Sequence, residues 1–369
     1  MRSIRLIVYL MVTLCTGAAV AQEAYVYDQL LDSSVYVYDA SSTGKLTPVK
    51  GSPFRTVGQM IGTNGKFFLT ADPTVVYSYA IDSNGSIGKL VSKIDTQHYS
   101  GSQCDQGQSG TALDHTGSYV YVLYEGAGQG ICSAYQTFEV GKTGLLSFKG
   151  AVDLGHFNAF GTAVITGNEK YAISIGTNID NDETFKTLVR ESSGSLALGG
   201  EGITFPAAQD GWLVLSNFSP DPNDHLAVVI QDGEGYYPPL LASFSVNSHG
   251  AFSSTNTIEN MPRVPFGSNP VTNHIILDPT GKYLAVPIEP GVQLYHFNGS
   301  APMTIFGGIT GVSGFVSGMS WDSDQHLYVL NGASLKMHVY KLVKTGLEEL
   351  SGSGTVLTQE QGSFVVRTK

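Results

Sequence analysis

Charge is scarce in this 369-residue chain, where Asp, Glu, Lys and Arg together make up 14%. Twenty bases face 31 acids, for a formal charge of -11. Without a basic excess, neither a nucleic acid nor an anionic membrane is an expected partner. Beyond the N-terminus there is no apolar run long enough for a membrane-spanning helix. Cysteine is rare too, at three residues, Cys15, Cys104 and Cys132. What the chain has in quantity is Gly, at 44 residues, with 19 Tyr and 17 Phe. That mixture suits short aromatic and β-branched strands joined by glycine turns, and does not suit helices of Ala, Glu and Lys.

The first 21 residues form a unit of their own. Arg2 and Arg5 precede an apolar stretch from Leu6 to Val12, and Ala19-Val20-Ala21 offers small residues where a signal peptidase reads. Residues 1–21 are therefore expected to be a secretory signal peptide and residues 22–369 the mature domain. Cys15 follows Leu14, where a lipid-attachment signal places a small residue, so no lipid anchor is expected. Two cysteines then remain in an exported chain, and Cys104 and Cys132 read as a disulfide, with two buried thiols as the alternative.

One turn recurs along the whole mature chain. A small polar residue, a Gly and an apolar residue just beyond it appear around Gly44, Gly85, Gly144, Gly194, Gly250, Gly299 and Gly346, at intervals of roughly 40–60 residues. A second turn keeps step with it, as in Asp278-Pro279-Thr280-Gly281 before the strand Tyr283–Ile288. Equivalent turns stand at Asn64-Gly65, Thr116-Gly117, Asn168-Glu169, Asn223-Asp224 and Asp324-Gln325. Each repeat reads as four short antiparallel strands, which is one propeller blade. The expected fold is all-β, a seven-bladed β-propeller. The first blade has no inner strand of its own, and the apolar tail Ser363–Thr368 is expected to supply it.

The sequence resembles the lactonase-like propellers, which include 6-phosphogluconolactonase and muconate lactonizing enzyme, and the related Tyr-Val-Thr-Asn repeat surface proteins. The phrases that carry the resemblance are Gly44-Lys45-Leu46-Thr47-Pro48-Val49, Gly51-Ser52-Pro53-Phe54 and Asp278-Pro279-Thr280-Gly281-Lys282-Tyr283-Leu284. The resemblance implies a site at the channel mouth built from a His pair, an Arg-His pair and a Glu. The Arg place falls on Asn273, the His place on His274 and the Glu place on Glu289. The His-pair places fall on Gly107 and Ser109, or on Ala159 and Gly161, with His156 nearby but out of register. Asn273, His274 and Glu289 are thus the candidate catalytic residues of a site whose cations are missing.

The second strands also end on acids or amides, at Asp28, Asp72, Glu125, Asn178, Asp232, Glu289 and Asn331. These residues serve the local turn, or they form a ring of oxygen ligands able to hold Ca²⁺ or a polyhydroxylated ligand. No other metal or cofactor is expected. Two functions follow as expectations for an exported monomer, periplasmic or extracellular. One is a non-catalytic or weakly catalytic module binding a small molecule, carbohydrate or cell-wall component. The other is a lactone hydrolase acting on an unphosphorylated sugar-type lactone, since a chain at -13 after signal removal has no basic cluster for a phosphate.

Overall fold

The computed structural model describes residues 24–96, 108–125, 133–155, 157–159, 163–177, 183–199, 212–232, 238–265, 275–312, 314–357 and 363–369. Within them lie seven antiparallel sheets, each a blade. The second blade shows the plan: an inner strand Gln59–Thr63, a second strand Phe67–Ala71, a third Val75–Ile81 and an outer strand Ile87–Asp95. Blade 1 is built from both ends of the chain. Phe364–Thr368 pairs antiparallel with Ala24–Gln29, with Val366 opposite Val26, and supplies the inner strand. Seven apolar clusters fill the seams between successive blades, the last joining blade 7 to blade 1, so the ring is closed.

The repeating glycine does two jobs. All seven hairpin glycines have positive φ, from 65° at Gly299 to 136° at Gly346, a region in which Cβ clashes with the backbone. In five blades a residue at the start of the second strand also seats against the hairpin of the next blade. A Cβ on Gly85 would lie 2.5 Å from the ring of Tyr25, and one on Gly194 would lie 1.9 Å from the ring of Tyr119. Two residues on, Tyr27 and Tyr121 donate their hydroxyls to the carbonyls of these same glycines, at 3.1 and 3.2 Å. The hairpin thus fixes the register between blades as well as within one.

The other turn is held by a buried acid at the end of the inner strand. Asp114 Oδ1 accepts the backbone N–H groups of Ser118 and Tyr119, and Asp278 Oδ1 those of Lys282 and Tyr283. Asp221 and Asp322 serve blades 5 and 7 in the same way. At the position that is Gly in blades 2, 3 and 6, blades 4 and 7 carry Glu169 and Gln325, both at φ 62°. Local detail exceeds the expected plan in three blades: the inner edge of blade 4 is split between Asn158–Ala159 and Val164–Ile165. The outer edge of blade 1 is split between Leu46–Pro48 and Phe54–Arg55, and that of blade 7 between Gly346–Glu349 and Thr355–Val356.

Candidate functional site

Inner strands begin, and second strands end, on one rim of the ring, which is the channel mouth. The sequence placed seven acids and amides there, and the structure separates them by level. Counted from Tyr25 and its equivalents Phe67, Tyr119, Tyr171, His225, Tyr283 and His326, Asp28 lies level with Thr70, Val122, Ser174, Val228, Val286 and Val329. These are interior positions, all 3% exposed or less. Asp28 is therefore a core residue and not part of the rim. Asp72 and Asn331 come two places nearer the mouth, Glu125 and Glu289 three, and Asp232 four. Since successive strand residues face opposite sides, these residues do not form one ring.

Two of the acceptors are engaged in their own turns. Asp72 Oδ1 accepts the N–H groups of Thr74 and Val75 at 2.8 Å, and its Oδ2 accepts the Tyr77 hydroxyl at 2.6 Å. Burial would raise the Asp72 carboxyl, but the hydrogen bonds from Tyr77, Thr74 and Val75 outweigh it and hold the group below its ordinary value. The same contact, together with burial, pushes Tyr77 up to about 12. Asn331, fully buried, accepts the N–H groups of Ala333 and Ser334 at 2.9 Å. Glu289 sits at a different level. It stands exposed in the two-residue loop Glu289-Pro290, between Ile288 and its cross-strand partner Gly291. Asn178, Asn273, His274, Cys104 and Cys132 lie outside the described residues, as do the side chains of Glu125 and Asp232.

Sequence reasoning missed two features of this rim. Phe315, just before the inner strand of blade 7, is 46% exposed, and a Cβ on Gly332 would sit 2.1 Å from its ring. The ring thus packs against a glycine, in space that a side chain at 332 would need. The signal in the sequence was faint, a Gly-Phe pair ahead of a strand. The other feature is Gln29, whose amide donates to the Gly58 carbonyl at 2.9 Å and accepts the Met60 N–H, tying blade 1 to the start of blade 2. No Lys, Arg or His occurs among the described rim residues 29–31, 57–59, 72, 289–290, 314–316, 331 and 363–364. Among the described residues no three His, Cys, Asp or Glu side chains gather closely enough to share a metal ion.

The opposite rim holds the tightest charge cluster. Arg190 of blade 4 binds Asp114 of blade 3 at 2.9 Å and also Glu169, while its guanidinium lies 4.6 Å from the ring centre of Tyr119. Burial, then the charge of Asp114, raises the Glu169 carboxyl above its ordinary value, with Arg190 opposing. A shallow cavity of about 370 Å³ opens beside them. His225 and His326 each pair Nδ1 with the carboxylate four residues earlier, Asp221 at 2.8 Å and Asp322 at 2.9 Å. Those carboxylates also cap the turns, which accounts for their position.

No family model matches the sequence, and no curated protein matches it either. Solved structures do. A periplasmic gluconolactonase from Pseudomonas aeruginosa superposes with a TM-score of 0.62 at 12% identity, over 93% of this chain and 99% of that one. A protein from Lactobacillus plantarum gives 0.65 at 15% identity, over 94% and 99%. A hydrazine synthase chain from Kuenenia stuttgartiensis gives 0.55 at 14% identity, over 91% and 99%. Proteins with such different names show that the likeness carries architecture and not chemistry. The chain has the seven-bladed propeller fold found in gluconolactonase-type structures.

Proposed function

We propose that this is an exported propeller whose channel mouth binds a neutral, polyhydroxylated small molecule, with little or no catalysis. The observation that carries this reading is that neighbouring blades 6 and 7 present, at the mouth, exposed Glu289 and the half-exposed ring of Phe315. A flat aromatic accepts the C–H face of a sugar ring, while a carboxylate accepts its hydroxyls. The turn bonds of Asp72 and Asn331 argue against a full ring of ligands, so Ca²⁺ enters only as a variable to be tested. Export is supported by the N-terminal pattern and by likeness to a protein named as periplasmic.

A second reading is favoured by one residue. Glu289 stands at the place that the family resemblance assigns to a glutamate, where it could act as general base in lactone hydrolysis. Calorimetric titration with glucose, gluconate and glucono-1,5-lactone, with and without Ca²⁺, tests the binding proposal. Phe315→Ala is expected to weaken binding by about tenfold, the scale of one stacking contact. An unchanged affinity in that variant, or no binding by any of these compounds, overturns it. Lactone turnover that falls ~10²-fold in Glu289→Gln establishes the hydrolase instead.

A further inference from the structure

Asp28 is the anomaly of the core. It is 3% exposed, at a level where four other blades carry Val and two carry a hydroxyl. The hydroxyls have partners: Thr70 donates to the Val57 carbonyl, and Ser174 lies 2.9 Å from the Tyr135 hydroxyl across the seam from blade 3. Tyr135 pairs with Leu123 in its blade as Met337 pairs with Leu330 in blade 7. The place that holds a hydroxyl facing Ser174 therefore holds a thioether facing Asp28. On its own sheet Asp28 lies between Tyr36 and Phe364, and it shares a face with Val26, which packs against Leu330 and Met337.

The charges nearby point elsewhere. On the closing strand Arg367 reaches the Gly65 turn of blade 2, and Lys369 binds Asp39 at 3.0 Å. On blade 7 Tyr328 faces the same cluster, with its hydroxyl 3.4 Å from Asp322, and His338 binds Glu349 at 2.7 Å. On the third strand of blade 1 the titratable side chains on this face are Tyr36, opposite Asp28, and Tyr38, stacked on it with ring centres 6.3 Å apart. No Lys, Arg or His faces Asp28 among the described residues.

We propose that the seam between blades 7 and 1 is a pH-sensitive latch, closed while Asp28 is neutral and loosened when it ionises. Burial alone pushes the Asp28 carboxyl from 3.8 up to about 7. Below about pH 4 the closed and opened seams both hold the proton. From there to about pH 7 the opened seam gives up its proton and the closed one keeps it, so closure loses stability as pH rises. The loss is complete above the closed-state value. Loosening would reach the mouth, because the Gln29 N–H donates to the Ser363 carbonyl at 3.0 Å, and Gln29 in turn holds blade 2.

The test is hydrogen exchange of the full chain between pH 5 and 9, corrected for the intrinsic rate, following the peptides that cover residues 24–29 and 363–369. Over this window the opening constant of this pair should rise on the order of 10²-fold in the wild type, the part of the proton-affinity difference that remains above pH 5. In Asp28→Val, which installs the residue of four other blades, and in the isosteric Asp28→Asn it should stay flat. A flat wild-type response overturns the latch, as does an equally steep response in either variant. A rise shared in full by residues 171–177 of blade 4 overturns its location at this seam.

Discussion

The seam between blades 3 and 4 and the seam between blades 7 and 1 occupy equivalent places in the ring but handle polar groups in opposite ways. The first joins sheets that are each built from one continuous stretch of chain, and polar groups bond across it: Tyr135 with Ser174, and Arg190 of blade 4 with Asp114 of blade 3. The second joins blade 7 to the blade that both ends of the chain build, and there Asp28, buried, shares a face with Val26 of the cluster that holds Met337. The polar contacts that cross it include the Ser323 N–H donated to Thr368 Oγ1 and the Leu46 N–H donated to Thr355 Oγ1. A seam closed by a separate strand tolerates a buried acid only if that acid keeps its proton, and thereby gains a sensitivity that its counterpart does not have.

Removing residues 363–369 should have the largest effect on this contrast. It strips the inner strand from blade 1 and opens the sheet edge at Ala24–Gln29, so the melting temperature should fall by about 10 °C or more in a calorimetric scan. Arg190→Leu comes next. It leaves Asp114 and Glu169 close together without their cation, and destabilisation of about 3 kcal/mol is expected in urea at pH 7. Because burial already favours the neutral form of Glu169, that penalty should shrink as pH falls and the carboxylates take up protons. The smallest effect should come from Ser174→Val, which gives blade 4 the side chain found at that level in four other blades. Loss of the bond to Tyr135 should cost about 1 kcal/mol by equilibrium unfolding. A larger loss there than in Arg190→Leu would reverse the ranking of the two contacts.

The ring was legible because its rules are local. Seven glycines with a fixed neighbourhood announce seven hairpins, and each of them takes positive φ. Closure was legible for the same reason, since blade 1 lacked a strand and the tail was an unclaimed one. The level of Asp28 was not legible. Counting back from the acid at the end of each strand aligned residues by type, whereas the ring aligns them by a residue at the start of the strand. Nor was the Arg190 cluster, whose members Asp114 and Arg190 stand 76 positions apart and meet only when neighbouring blades pack. At the mouth, Glu289 was found by resemblance. Phe315 escaped because an exposed aromatic has no periodic signature. It becomes visible only when Gly332 is seen beneath it.

The pairing of Val26 with Val366 also governs the order in which the molecule can form. Six sheets are assembled largely from neighbouring residues and can nucleate early. Blade 1 must wait for partners 340 positions apart to meet, the slowest kind of contact to establish. Until they do, the strand Ala24–Gln29 offers a bare apolar edge to any similar strand, including the tail of another copy. A high local concentration of folding chains would therefore favour exchange of closing strands between them, and dilution would favour the properly closed ring.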